Sequence, residues 1–437
     1  MRPADINNWI HELEIPENLT CQDPPQSHSD NKSSITNQAL PPSPPTSAER
    51  RRKRAMEGDS EPTPKRHKAQ HDPQKTPRAT RSHVGKGFPA PEATGSVLET
   101  PSEAQSQSTT SQASGRSSPR KQLVSLELSR SGLETRNFTM NGAQLPSDLL
   151  SILEGLQDIK DSGLGIISEV WKDRIRDMAK TDHEMARIRD HMFGAPQTRD
   201  KYGPTPCPVD VQTLATEAAD CEETKQNEAG WNMMVHYPLL FQAVYGPQRN
   251  RQLLGVAPCT TAKVIQEYLP VAWQAKMVDF CIFIDSSDHI EEIQDARRIL
   301  PSGYINHTDF YGLRNHPIAL SIETKSASST AAGSAELQIG TWQSAQWRFL
   351  EDLVARNGGC IDDLPFLPAI IVQGHQWSFA ATTRDARKTV LWLPFHFGST
   401  EDIIGIYKTV LGLQQICYWV NETFWPWYKK NALGIKD

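Results

Sequence analysis

The feature that most constrains this chain is a block of six β-type runs between residues 253 and 395, interrupted after the third by one long helical stretch. The runs cover 253–264, 276–284, 317–325, 369–373, 377–382 and 389–395, and each is rich in β-branched or aromatic residues. The interruption predicts a helix over 335–355, and a last helix is expected over 401–424, stopping near Pro426. Helical periodicity also precedes the block. Leu149, Leu150, Leu153 and Leu156 mark one amphipathic helix, and 166–192 and 210–245 suggest two more. Gly163 and Gly165 separate the first two, and Tyr245-Gly246-Pro247 ends the third. Helices, three strands, a helix, three strands and a helix describe an α/β domain: a mixed β-sheet flanked by helices.

The first part of the chain reads differently. Of 31 prolines, 16 lie before residue 121, and 20–120 consists of Pro, Ser, Thr, Gln and charge with few aromatics. Such a stretch buries too little apolar surface to offset chain entropy, so a long disordered region is expected. Three parts follow: a short amphipathic segment over 1–20, a basic Pro/Ser-rich linker over 21–140, and a folded domain over 141–437. In the first, Ile6, Trp9, Ile10 and Leu13 form one apolar stripe of a helix. That stripe could dock on a partner or on the domain, or be a transient helix with no role.

Charge narrows the function. Residues 1–120 carry 16 Lys+Arg against 14 Asp+Glu, whereas the rest carries 30 against 38. An acidic globular part counts against a protein that coats nucleic acid, and leaves room for one that grips it along a single cleft. Seven scattered cysteines without a CxxC pair fit a reducing compartment and argue against a zinc module. With no membrane-length apolar stretch and no signal-peptide core, a soluble intracellular protein is expected.

Two basic clusters punctuate the linker: Arg50-Arg51-Arg52-Lys53-Arg54 and Lys65-Arg66-His67-Lys68, ten residues apart. That spacing matches a bipartite nuclear import signal, whose halves fill two acidic grooves on an import carrier, and so predicts a nuclear protein. A solvated charge run is the alternative, and the paired spacing in a segment expected to be disordered puts import ahead of it. Thr63-Pro64 abuts the second cluster, where a phosphate could neutralise it.

The chemistry lies in the second and third runs. In Lys276-Met277-Val278-Asp279-Phe280-Cys281-Ile282-Phe283-Ile284, alternation puts Val278, Phe280, Ile282 and Ile284 on one face and Asp279 on the other. A carboxylate in so apolar a run is costly unless paired or bound to metal. The third run ends Ile322-Glu323-Thr324-Lys325, with Glu323 and Lys325 sharing a face. Asp279 and Glu323 together make two hard oxygen ligands for Mg²⁺ or Mn²⁺, with a cation beside them. Such a set suits phosphodiester hydrolysis. Glu-x-Lys alone is equally read as a structural pair at a strand end.

Asp279, then Ile322-Glu323-Thr324-Lys325, then a helix opening Glu336-Leu337-Gln338, resembles the PD-(D/E)XK nuclease superfamily. More narrowly the chain resembles the PD-(D/E)XK nuclease-like domain proteins of filamentous fungi, which share a Trp-bearing N-terminal segment and a basic linker. The resemblance implies a restriction-endonuclease-like fold, with Asp279 and Glu323 as metal-binding carboxylates and Lys325 as catalytic lysine. It implies that Glu228 completes the site from the preceding helix, where an ordinary exposed helix acid is the alternative. Gln338 and Trp342 resemble the helix glutamine–aromatic pair of RecB-type members, with Trp in place of the usual Tyr; packing in the core is the stronger reading for Trp342, as for Trp231 and His236. Val278 stands where proline normally precedes the aspartate. Arg249, Arg251, Arg314, Arg384 and Arg387 could line a phosphate track. The implied activity is metal-dependent hydrolysis of nucleic acid, DNA in the first instance; the competing reading is an inactive nuclease fold serving as a nuclear binding module.

Overall fold

In the computed structural model the described residues are 118–435, apart from 130, 139–144, 247–251, 270–275 and 330–332. Every described residue belongs to one compact unit. The Ile6–Leu13 stripe, both basic clusters, Thr63, Arg249 and Arg251 lie outside the described residues.

A seven-stranded mixed sheet organises that unit. In chain order its strands are β1 (Leu133–Arg136), β4 (Leu254–Pro258), β5 (Phe280–Ile284), β6 (Ile318–Lys325), β7 (Leu367–Gln373), β8 (Gln376–Asp385) and β9 (Lys388–Ser399). Two two-residue strands, β2 (Ile167–Ser168) and β3 (Phe193–Gly194), pair separately. Across the main sheet the order is β1-β9-β8-β7-β6-β5-β4. The β1/β9 and β6/β7 pairs are parallel and the rest antiparallel. All six β-type runs are present as strands, with shifted ends.

The helices that matter for the site are α1 (Pro119–Leu128), α2 (Ser147–Ser162), α3 (Pro208–Glu223), α4 (228–245), α5 (Ile290–Ile299), α6 (Ser334–Asn357) and α7 (Ile403–Trp419). The α6 crossover joins β6 to its parallel neighbour β7, a connection that no tight turn could make. Its long polar side chains bond to the strands beneath: Gln346 donates to Ile318 O at 2.8 Å, Gln343 to Pro368 O at 2.8 Å, and the Trp347 indole to Thr382 at 3.0 Å. Buried polar groups with partners cost little, and here they lock one helix register against the sheet. Helix α7 packs on β9 and on α2, α3 and α4.

Three expectations are corrected. The helix foreseen over 210–245 is two: α3 ends at Glu223, Lys225 turns with φ 55°, and Asn227 restarts a helix by accepting the Gly230 N–H at 2.9 Å. The second helix, α4, has a turn Glu228–Trp231, a π-turn Asn232–His236 and a run Tyr237–Tyr245. Its π-turn ends two residues before Pro238, which has no N–H to give and whose ring crowds the carbonyl four residues back, inside that turn. The stretch 166–192 holds only short helical pieces, such as Lys172–Met178 and His183–Ala186. Finally, the stretch assigned to the linker as far as 140 contains α1 and β1. Leu133 of β1 packs against α6 so closely that a Cβ on Gly340 would lie 2.3 Å from it.

Candidate active site

Two strands bring the acids together. The antiparallel register pairs Phe280 with Ile322, which sets Asp279, one residue before β5, opposite Glu323. Backbone bonds hold Asp279 on both sides: its N–H donates to Ile322 O at 3.0 Å, and its carbonyl accepts the Cys259 N–H at 2.7 Å. The Asp279 Oδ2 atom accepts the Thr324 backbone N–H at 2.8 Å and the Thr324 hydroxyl at 2.9 Å. Thr324, the middle residue of Glu-x-Lys, drew no notice in the sequence because alternation turns it away from its neighbours.

Glu323 is completely buried. Its Oε1 accepts from Lys325 Nζ, and its Oε2 has no hydrogen-bond partner. Burial, and then repulsion from Asp279, push its carboxyl well above the ordinary carboxylate range. Asp279 is raised by burial too, opposed by the two Thr324 bonds and the charge of Lys325. For Lys325, burial favours the neutral amine, but Glu323, Glu228 and Asp279 outweigh it and raise the value. The side chain is therefore an ammonium at neutral pH. It also donates to Glu228 Oε2 at 3.3 Å and to Thr324 O at 2.7 Å.

Glu228 reaches the lysine because α4 is fastened to the turn beside it. His236 Nε2 lies 3.0 Å from Gly374 O, and the Gly374 N–H donates to Lys325 O at 2.9 Å. A carbonyl only accepts, so Nε2 carries the proton; burial depresses the imidazole to about 4, which keeps it neutral. Gly374 has φ 53°, and a Cβ there would lie 2.7 Å from that of Ala327, so only glycine serves this turn. Burial raises Glu228 first, with Asp279 adding to it and Lys325 opposing.

A family model of the PD-(D/E)XK nuclease superfamily matches residues 175–425, more than half of the chain. The chain belongs to the PD-(D/E)XK nuclease superfamily. No curated protein and no solved structure matches it. Glu228, Asp279, Glu323 and Lys325 all lie within the matched span, as do the six expected strands.

Nucleases of this superfamily generally use divalent metal ions, and the residues here fit one by the chemistry of their donors. Asp279 and Glu323 are hard oxygen ligands facing each other, and Glu323 Oε2 is buried without a partner. Among the described residues no group of three or more His, Cys, Asp or Glu side chains stands at metal-holding distances. The cation would thus rest on these two carboxylates.

The remaining sequence candidates divide. Gln338 Nε2 donates to Met277 O at 3.2 Å, two residues before Asp279, so it steadies the approach to β5. Trp342 belongs to the core: fully buried, it donates to Ser321 at 3.0 Å and packs edge-on against His307. Trp231 and His236 are likewise buried and stacked together. Arg384 and Arg387 flank the Asp385–Lys388 turn, at the end of the sheet opposite Lys325, and Arg314 precedes the far end of β6. None of the three stands at the Lys325 end of the sheet.

Proposed function

We propose that this domain hydrolyses phosphodiester bonds of nucleic acid, with DNA as substrate and Mg²⁺ or Mn²⁺ as cofactor, in the nucleus. The observation that carries this reading is the Glu323 carboxylate: wholly buried, opposite Asp279, with one oxygen unpartnered. Protein folds tolerate such an arrangement poorly unless a ligand relieves it. Asp279 and Glu323 would hold the cation, which when bound polarises the phosphate as a Lewis acid. Thr324 aims Asp279 by its two hydrogen bonds. Lys325 Nζ, charged and set between Glu323 and Glu228, orients the attacking water and stabilises negative charge developing on the phosphate. Glu228 is the second carboxylate that holds the ammonium. The test is incubation of the purified full chain with duplex, single-stranded and branched DNA and with RNA, with and without Mg²⁺ or Mn²⁺, beside Lys325→Ala. Absence of metal-dependent cleavage of every substrate would sink the proposal.

One observation favours an inactive nuclease fold used as a binding module. Lys325 bridges Glu323 and Glu228 while Thr324 occupies Asp279 Oδ2, so the resting site is largely closed on its own residues. Nucleic-acid binding without turnover, and no heat of Mg²⁺ or Mn²⁺ binding in calorimetry, would select that reading. For location, the clusters Arg50 to Arg54 and Lys65, Arg66 and Lys68 are proposed to engage an import carrier together. Replacing Arg51, Arg52, Lys65 and Arg66 by Ala in a tagged full chain should move it to the cytoplasm; unchanged nuclear accumulation refutes the signal. No helix among the described residues is long and apolar enough to cross a membrane.

A further inference from the structure

The end of the sheet that carries Lys325 has a second feature. Register runs from Lys325 to Gln373 on β7, from Gln373 to Gln376 on β8, and from Gln376 to Ser399 on β9. Ser399 therefore lies three strand spacings along the same edge, roughly 14 Å from Lys325 at about 4.8 Å each. There, between the end of β9, the last turn of α2 and the first turns of α7, is a cavity of about 340 Å³.

Its lining is basic in a domain that is otherwise acidic. Lys160, Arg187 and Lys408 contribute three cations, against Glu401 and Asp402. Asp402 is already engaged, capping α7 through the Gly405 N–H at 2.6 Å and lying 3.4 Å from Arg187. Arg187 also pairs with Glu184 at 2.7 Å. Lys408 Nζ donates to Lys160 O at 2.6 Å, and Lys160 Nζ stands over the Phe395 ring at 5.0 Å. Neither lysine has a carboxylate partner among the described residues. His396, also on the lining, is held below its ordinary value by burial first and then by Lys160, so it adds no charge at neutral pH. The start of α7, a helix of 17 residues, adds the positive end of its dipole.

We infer that this cavity is an anchor for a backbone phosphate of the same nucleic-acid chain that is cut beside Lys325. The inference rests on the nuclease reading and deepens it. Within a duplex each strand advances about 3.4 Å along the axis per nucleotide, so on duplex substrate the anchored phosphate lies about four nucleotides from the scissile bond. A domain carrying net negative charge repels phosphates on average, and two lysines without carboxylate partners among the described residues, both lining one cavity at the catalytic edge, give the backbone a place to be held. The site demands a substrate long enough to span both positions. A substrate shorter than that gains nothing from it.

The full chain and its Lys160→Gln/Lys408→Gln variant, which keeps polar stems at both positions, should be compared on a trinucleotide and on a twelve-nucleotide substrate. The twelve-mer should lose about tenfold in kcat/KM through KM, with the trinucleotide unchanged. The slope of log affinity against log salt, measured for the twelve-mer by anisotropy in EDTA, should fall by about one per lysine. Equal losses on both lengths with a lowered Tm would show a folding defect and overturn the anchor. Cleavage of both lengths that is indifferent to the substitutions would overturn the anchor and leave the nuclease reading standing. Failure of the wild type to cleave or bind either substrate would remove that reading, and the anchor with it.

Discussion

The two ends of the central sheet handle the same pair of chemical groups in opposite ways. At the Arg384 end, the guanidinium meets Glu351 with two parallel bonds, 2.6 and 2.9 Å, and gives a third to Thr389 at 3.1 Å. Both carboxylate oxygens are satisfied. At the Lys325 end, one ammonium serves Glu323 and Glu228 with Asp279 close by, and one oxygen of the most deeply buried acid has no partner at all. The planar fork matches a carboxylate and makes a finished structural pair; the compact ammonium leaves coordination capacity over. A carboxylate–cation contact is thus no sign of a site by itself. The unsatisfied remainder is.

That contrast can be broken or sharpened by experiment. The largest effect is expected from Lys325→Ala or Asp279→Asn, each lowering kcat by about 10³-fold or more, because a developing charge or a cation ligand is lost. Arg384→Ala should leave kcat within about twofold; if it costs as much as Lys325→Ala, the two ends are not functionally distinct. The same Arg384→Ala variant should lose roughly 1–2 kcal/mol of stability, discounted for the partial exposure of the pair, or about 2–3 °C in Tm.

The reverse is expected of the acids at the other end. Folding places the Glu323 carboxyl above its unfolded value of 4.5. Its contribution to the stability of the metal-free protein is therefore fully present below about pH 4.5 and is lost as pH rises through the folded value. Glu323→Gln removes that loss, so the Tm gap between variant and wild type should widen in the variant's favour from pH 5 to pH 8. Mg²⁺ or Mn²⁺ should raise the wild-type Tm and leave Asp279→Asn unmoved. A Tm gap independent of pH would mean that Lys325 already neutralises Glu323 in full. Among variants at the Lys325 end the smallest effect belongs to Gln338→Ala, which loosens Met277 rather than a reacting group: a fall in kcat of about two- to fivefold, with little change in KM.

Sequence alone determined the features that arise from nearest neighbours along the chain. Apolar alternation located all six strand runs, and the odd carboxylate in an apolar strand together with Glu-x-Lys picked out Asp279, Glu323 and Lys325. Each is a local pattern, set by the two-residue period of a strand. What joins residues distant in the chain was decided only by the tertiary structure. Four residues at Leu133–Arg136 show no periodicity worth reading, yet pairing with β9 makes them a strand. Lys225 breaks an otherwise helical composition because Asn227 caps a new helix, which is what turns Glu228 toward a lysine 97 residues away. Thr324 alternates away from Glu323 and Lys325 along the strand, yet the neighbouring strand brings Asp279 within reach of its hydroxyl. Register likewise sent Arg384 to the far end of the sheet, and the docking of α2 and α7 brought Lys160 and Lys408 to the near one, where no spacing in the sequence had joined them. Periodicity encodes which face a residue takes; only the pairing of strands and the docking of helices, paid in long-range loop entropy, fixes which residues meet there.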